Sequence, residues 1–414
     1  MFYPFFDIIT YIGLLFLLSQ ACGRIAIYLK APALVGYLLA GILFGPSLLN
    51  LFSKKLIDEQ LTIITDITLS IIAFSIGGTL KLTKTKKAKG AILWITFLQA
   101  FAVAIIVFLF SSFIIPLIWK TKEASNGFQK SYLPIALILG AISVATAPGA
   151  ILSIIHEYKA KGKFTSTLLG IITLDDALAL IFYSFAIVMS SNLLLGKKIA
   201  LITGLVTPLT SIVLAIVLGV IIGWVIKKII TYFGKKDVLL GLIIGAILLT
   251  SGIATTFGFS PLLANMTLGF IVVNFVEHLR AEETFRVIES IEEPIFGIFF
   301  LLAGAQLKLH FAANASLLAV LLLLTRFSGK LLGTYVGSVL SSAEKPIRRY
   351  MGLSLLPTAG VTIGLVLEAN AIFGSVLPQL SILMVNGIIG ATLLNEIISP
   401  FLVRFSLKQA GEIK

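Results

Sequence analysis

Apolar residues run in long blocks broken by short polar interruptions, and most blocks reach about 20 residues, enough to cross a hydrocarbon core of roughly 30 Å as a helix. Reading the blocks against the interruptions predicts thirteen helical segments, at 5–29, 32–52, 60–82, 89–118, 131–157, 164–192, 198–233, 237–257, 260–278, 287–307, 312–341, 347–371 and 376–405. The connections are short; the longest polar one runs from Lys120 to Lys130. The first block lacks the basic start and small-residue cleavage site of a signal peptide, so it reads as a span. The expected fold class is an all-α membrane protein with 13 transmembrane helices.

Composition agrees. Hydrophobic residues make up 58% of the 414 and charged residues 12%, about half the charged share of a soluble domain. Such a chain could not cover a soluble surface with polar groups. The single cysteine, Cys22, lies inside the first segment, which leaves no disulfide framework.

Net charge is +13, and its placement matters more than its size. An odd number of spans puts the chain ends on opposite sides. One set of loops carries only Lys54, Lys55, Lys120, Lys122, Lys130, Lys197, Lys198 and Lys308 of the 32 basic residues. Arg326 and Lys330 fall within a segment, and the other 22 share the opposite side. The positive-inside rule then expects a multi-pass protein of the cell membrane with its N-terminus outside and its C-terminus in the cytoplasm. Loop lysines beside anionic lipid account for the basic charge without nucleic acid.

Two segments carry breakers at matching places. The fifth contains SVATAPGAI (143–151) and the twelfth LLPTAGVTIG (355–364). Pro148 and Pro357 lack amide donors, and Gly149 and Gly360 are permissive, so both hydrogen-bond ladders are expected to open. Matching breaks suggest two inverted six-helix repeats, segments 1–6 and 8–13, joined by segment 7. Unwound backbone inside a membrane is tolerated where it lines a polar cavity. The site is therefore expected to be lined by Ala147, Pro148, Pro357, Thr358 and Gly360.

The strongest chemical signal is TLLGIITLDDALALIFYSF (167–185), which puts Asp175 and Asp176 halfway along the sixth segment. One aspartate at mid-membrane costs about 2.5–3.5 kcal/mol even on the insertion scale. Neighbouring helical residues point about 100° apart, so one acid can face an ion cavity while the other meets a protein partner. Lys330 in LLLLTRFSGKLLGTYVG (321–337) is the candidate counter-charge, with Arg326 one turn before it in a structural or interfacial role. Thr146 at the first break and Thr173 one turn before Asp176 could offer oxygen to a cation. Glu396 is a buried acid without an obvious partner and a candidate for tuning the site. Asp66 and Glu368 read as structural acids nearer the interfaces. The three histidines lack metal-ligand spacing.

In order and spacing these segments resemble the monovalent cation:proton antiporter superfamily, in the branch of the Kef-like and NapA-like exchangers. APALVGYLLAGILFGP (31–46) is similar to an early family helix and SVATAPGAI to the first unwound helix. LDDALALI resembles the acidic motif, EEPIFGIFFLLAGAQL (292–307) the later Pro-Phe segment, and SGKLLGTYVG the helix of the basic partner. The resemblance implies that Asp176 carries the ion and the proton and that Asp175 pairs with Lys330. Paired acids with a lysine are similar to electrogenic sodium/proton exchangers.

The resemblance further implies a homodimer with crossed broken helices and a core that moves against a dimerisation scaffold. On that pattern residues 1–82 and 237–307 are scaffold, 89–192 and 312–405 are core, and 198–233 is the linker helix. Expected substrates are protons and sodium, with lithium or potassium as the rival cation. No cofactor is expected, nor any metal beyond the transported ion. The sequence departs from the Kef-like pattern at the second break, where Pro357 to Val361 replace an Arg-Gly with an acid. No nucleotide-binding domain is expected within the chain.

Two other classes fit less well. An intramembrane aspartic protease needs acids on separate facing helices sharing a proton, whereas these are adjacent and splayed. A passive channel would show currents far above carrier rates.

Overall fold

The computed structural model describes residues 7–29, 32–53, 55–57, 61–81, 89–119, 127–194, 201–233, 236–307, 312–358 and 360–413. Of the cations counted above, Lys30, Lys54, Lys84, Lys86, Lys87, Lys120, Lys122, Lys197, Lys198, Lys235, Lys308 and Lys414 lie outside the described residues, as does Ala359. Among the described residues the regular elements are helices, fifteen in order. They are α1 (Ile8–Tyr28), α2 (Ala33–Phe44), α3 (Thr62–Thr79), α4 (Lys89–Ile118), α5 (Phe128–Ile142), α6 (Pro148–Tyr158), α7 (Lys163–Leu194) and α8 (Leu201–Phe233). The second half holds α9 (Lys236–Phe257), α10 (Pro261–Phe275), α11 (His278–Ala305), α12 (Ala312–Leu340), α13 (Lys345–Ser354), α14 (Gly360–Phe373) and α15 (Pro378–Gln409).

Each expected segment is occupied by helix. The fifth and twelfth are each divided in two, as α5/α6 and α13/α14. Seven of the described helices, namely α1, α4, α7, α8, α9, α12 and α15, contain stretches long and apolar enough to cross a membrane. Apolar side chains such as Phe101, Leu109 and Phe113 stay exposed along α4, as they would against lipid rather than water.

Boundaries shift where local chemistry overrides hydropathy. The second segment stops as a helix at Phe44: Gly45 donates to the Gly41 carbonyl at 2.8 Å, and Pro46 behind it has no donor. The tenth begins earlier than its apolar run. Only Val276 and Glu277 separate α10 from α11, whose first turns are polar.

Packing falls into two groups. In one, α4 lies along α12 and α5 along α7, with α13, α14 and α15 against them; in the other, α2 lies along α11 and α3 along α10, with α1 and α8 alongside. The α4–α12 contact is made close by glycine. A Cβ on Gly333 would stand 2.4 Å from the Gln99 Cα, and one on Gly329 2.7 Å from that of Val103. Glycines every fourth residue keep one face of α12 bare, so the backbones touch. In the same packing Gln99 of α4 reaches Asp175 of α7.

Two contacts fasten the start of α7. The Glu412 carboxylate, just past α15, accepts from the Phe164 and Thr165 amides at 2.7 and 2.8 Å and from the Thr165 hydroxyl at 2.6 Å. It satisfies amides that have no intrahelical partner. Lys163 pairs with Glu344, at the start of α13, at 2.7 Å.

Candidate functional site

The two breaks meet in the interior. Pro148 opens α6, where its missing N–H costs nothing, and α5 ends at Ile142. The intervening backbone carries carbonyls without helical partners. The same holds after α13, which ends at Ser354 before α14 resumes at Gly360. The gaps are joined directly: the Ala147 amide donates to the Pro357 carbonyl at 2.8 Å.

Two cations from α12 occupy the carbonyl ends of these half-helices, where the helix dipole is negative. Arg326, 5% exposed, donates Nε to Ser143 O at 2.9 Å and Nη2 to Ala145 O at 2.8 Å, while its Nη1 reaches Leu356 O at the other break. One guanidinium thus clamps both gaps. Its planar fork of five donors suits this task. Of the structural or interfacial role expected for Arg326, this geometry is the structural one: the side chain lies inside, with its donors on carbonyls of both breaks. Lys330, one turn on, donates to Val144 O at 2.7 Å and to the Thr146 hydroxyl at 2.8 Å.

Lys330 also reaches Asp175 at 2.7 Å, and neither side chain is exposed. Asp175 accepts from Gln99 on α4 and from the Thr146 hydroxyl as well. The acid is therefore charge-paired and hydrogen-bonded on both oxygens. Asp176 differs. Its Oδ1 has no hydrogen-bond partner among the described residues; the carboxylate takes a hydrogen bond only from the backbone of Thr146.

Asp176 lines a cavity of about 1650 Å³ that runs from both breaks out to the ends of α3 and α11, at Lys81 and His278. Ala147, Pro148 and Gly360 line it beside Asp176 and Thr146, and Glu396 of α15 lines it too. Asp175 and Lys330 do not. In the wall nearer the mouth, Ser75 of α3 hydrogen-bonds Glu292 of α11.

The structure thus gathers Asp175, Asp176, Thr146, Lys330 and both breaks into one place, but Pro357 and Thr358, expected in the lining, are not part of the cavity wall. It does not bring Thr173 there. That hydroxyl donates to Leu169 O at 2.7 Å within its own helix and lies outside the cavity lining. The side chain of Thr358 serves the second break, accepting from Asn395 Nδ2 at 2.8 Å; the same amide reaches Leu356 O at 2.7 Å. Gln99 and Asn395 are site residues that sequence reasoning missed. A glutamine or asparagine deep in an apolar segment was the available signal for both.

A family model described as "Sodium/hydrogen exchanger, transmembrane" matches residues 13–408. The chain belongs to this family. Its members are transporters rather than enzymes, and the chain is a multi-pass membrane protein on this ground and on its apolar helices. No curated protein matches it in sequence. Among solved structures it is similar to the sodium proton antiporter MjNhaP1 from Methanocaldococcus jannaschii at pH 8. That likeness has 19% identity, 97% of each chain covered and a TM-score of 0.77. An electron-microscopy structure of the same antiporter is similar at 19% identity and a TM-score of 0.72, over 99% of this chain and 100% of that one. These likenesses concern the fold; the family model carries the transport class.

Proposed function

We propose that this sodium/hydrogen exchanger family member moves protons one way and a monovalent cation, sodium first, the other, with Asp176 as the shared carrier. One observation carries the reading: of two adjacent buried acids, Asp175 is fully paired, while Asp176 keeps a bare oxygen on a wide cavity. A carboxylate in that position takes either a proton or a cation, and the two compete. Thr146 and the open backbone at Ala147 and Pro148 offer further oxygens. Either guest neutralises Asp176, and the neutral form crosses an apolar barrier that the bare anion does not.

The movement we propose is elevator-like. Helices α4–α7 and α12–α15 form a core that slides against a scaffold of α1–α3 and α9–α11, with α8 as linker. Thirteen spans in two inverted repeats and a homodimer formed through the scaffold complete the proposed architecture. The cavity mouth at Lys81 and His278 lies on the side that bears most basic residues. With that side cytoplasmic, this is the inward-facing state. Should Lys330 give up its proton when the ion binds, two protons would exchange for one sodium and transport would be electrogenic.

The test is proton flux in proteoliposomes driven in turn by sodium, lithium and potassium gradients. Sodium-driven flux is expected, and Asp176→Asn should lower it at least 100-fold while the protein still elutes as folded. Full exchange by that variant removes Asp176 as carrier. Flux with potassium alone would make this a potassium/proton exchanger of the same fold.

A further inference from the structure

Glu396 is not used by the mechanism above. It sits on α15 at 4% exposure, lines the same cavity as Asp176, and leaves Oε1 without a hydrogen-bond partner among the described residues. Neither a lysine nor an arginine among the described residues forms an ion pair with it. Its position is not left to chance. The preceding residue, Asn395, is fixed to Leu356 O and Thr358 of the second break. On the following turn Pro400 and Phe401 line the cavity without offering polar side chains. A buried acid with neither counter-charge nor complete hydrogen bonding is costly, and a cation supplied from the cavity would relieve it.

Charge accounting gives that acid a task. The buried ionisable groups at the breaks are Asp175 and Asp176 against Lys330 and Arg326. With all four ionised they balance, so a cation arriving at Asp176 would find a neutral cluster and leave it positive. Glu396 is the acid that lines the cavity beside these four, and counted with them in its ionised form it makes the empty cluster net negative by one. One monovalent cation then brings it to neutrality.

We propose that Glu396 is a second cation-accepting carboxylate of this cavity, which draws a monovalent cation in and shares it with Asp176. The inference rests on the exchange reading above and deepens it. Glu396 and Asp176 then act as two stations for one ion, entered from the cavity mouth. Because Glu396 lies on a helix that packs against α12, the second station travels with the first.

Sodium itself is the probe. Radioactive sodium binding to the purified protein in detergent is measured for the wild type, Asp176→Asn, Glu396→Gln and the double variant, with thermal melting as the folding control. Asp176→Asn should keep residual weak binding, and the double variant should lose it. In proteoliposomes Glu396→Gln should raise half-saturating sodium at least tenfold with a smaller change in maximal rate, and Glu396→Asp should return it to within about threefold. Identical binding by Asp176→Asn and the double variant overturns the proposal, as does wild-type half-saturation in Glu396→Gln. A wild type whose sodium binding is weakened by each substitution yet moves no protons sinks the exchange reading and leaves the second station standing.

Discussion

Asp175 and Asp176 are neighbours on one helix, equally buried, and their surroundings are opposite. On the Asp175 side lysine, glutamine and threonine close on both carboxylate oxygens, while the arginine beside them closes on carbonyls; only the far oxygen of Gln99 is left without a partner among the described residues. On the Asp176 side an oxygen is left bare, and so is one on Glu396 across the same cavity. Burial alone therefore does not mark the working acid. What separates the two is whether the protein supplies the partner or leaves it to be supplied. The satisfied side is rigid because removing any member strands another charge or carbonyl. The unsatisfied side has a deficit that an incoming ion fills.

The sharpest way to break this contrast is to unsatisfy the satisfied side. Lys330→Ala leaves Asp175 buried without its counter-charge, which costs about 3–5 kcal/mol for a buried pair broken at one end. Thermal melting of the purified protein should show a large loss, and Lys330→Ala with Asp175→Asn should recover much of it. A variant with wild-type melting would mean that Asp175 is neutral or otherwise paired. The pair would then not be what frees Asp176 to work alone.

How far this contrast could be read beforehand depended on range. Hydropathy and breakers are local, so the helical segments, both interruptions and the mid-helix acids were legible from the chain. A partner for the acids could be named because only two cations, Arg326 and Lys330, lie deep within a segment rather than near its end. The division of labour around them was not legible. Gln99 lies 76 residues from Asp175, and Arg326 lies more than 180 from the carbonyls of the first break. Thr173 shows the opposite failure. Its sequence spacing from Asp176 was right, but a threonine inside a helix can satisfy its hydroxyl on the carbonyl four residues back, and it does so here.

A middle-sized effect is expected at Arg326, which holds the shape of both breaks rather than the charge of either acid. Replacing it by lysine keeps the charge but cannot reach three carbonyls on two segments. The stranded carbonyls should cost about 3 kcal/mol. The expected signature is a melting loss together with impaired sodium-driven flux, with lysine hardly better than glutamine. Full rescue by lysine would show that charge, and not the fork, is what the gaps require.

The smallest effect tests how α7 itself is held, since both acids share that helix and any shift moves them together. Glu412 caps the α7 amides from the far end of the chain. Glu412→Ala should cost about 1 kcal/mol, the usual worth of a lost helix cap, and Glu412→Asp should restore part of it if the shorter arm still reaches one amide. Flux should fall slightly for the capless variant without a change in half-saturating sodium, because the surroundings of each acid move with the helix. A changed half-saturation would instead mean that α7 slides relative to α4 and α12. In that case the line between the satisfied and the bare acid is set by the height of the helix, and not by the side chains around it.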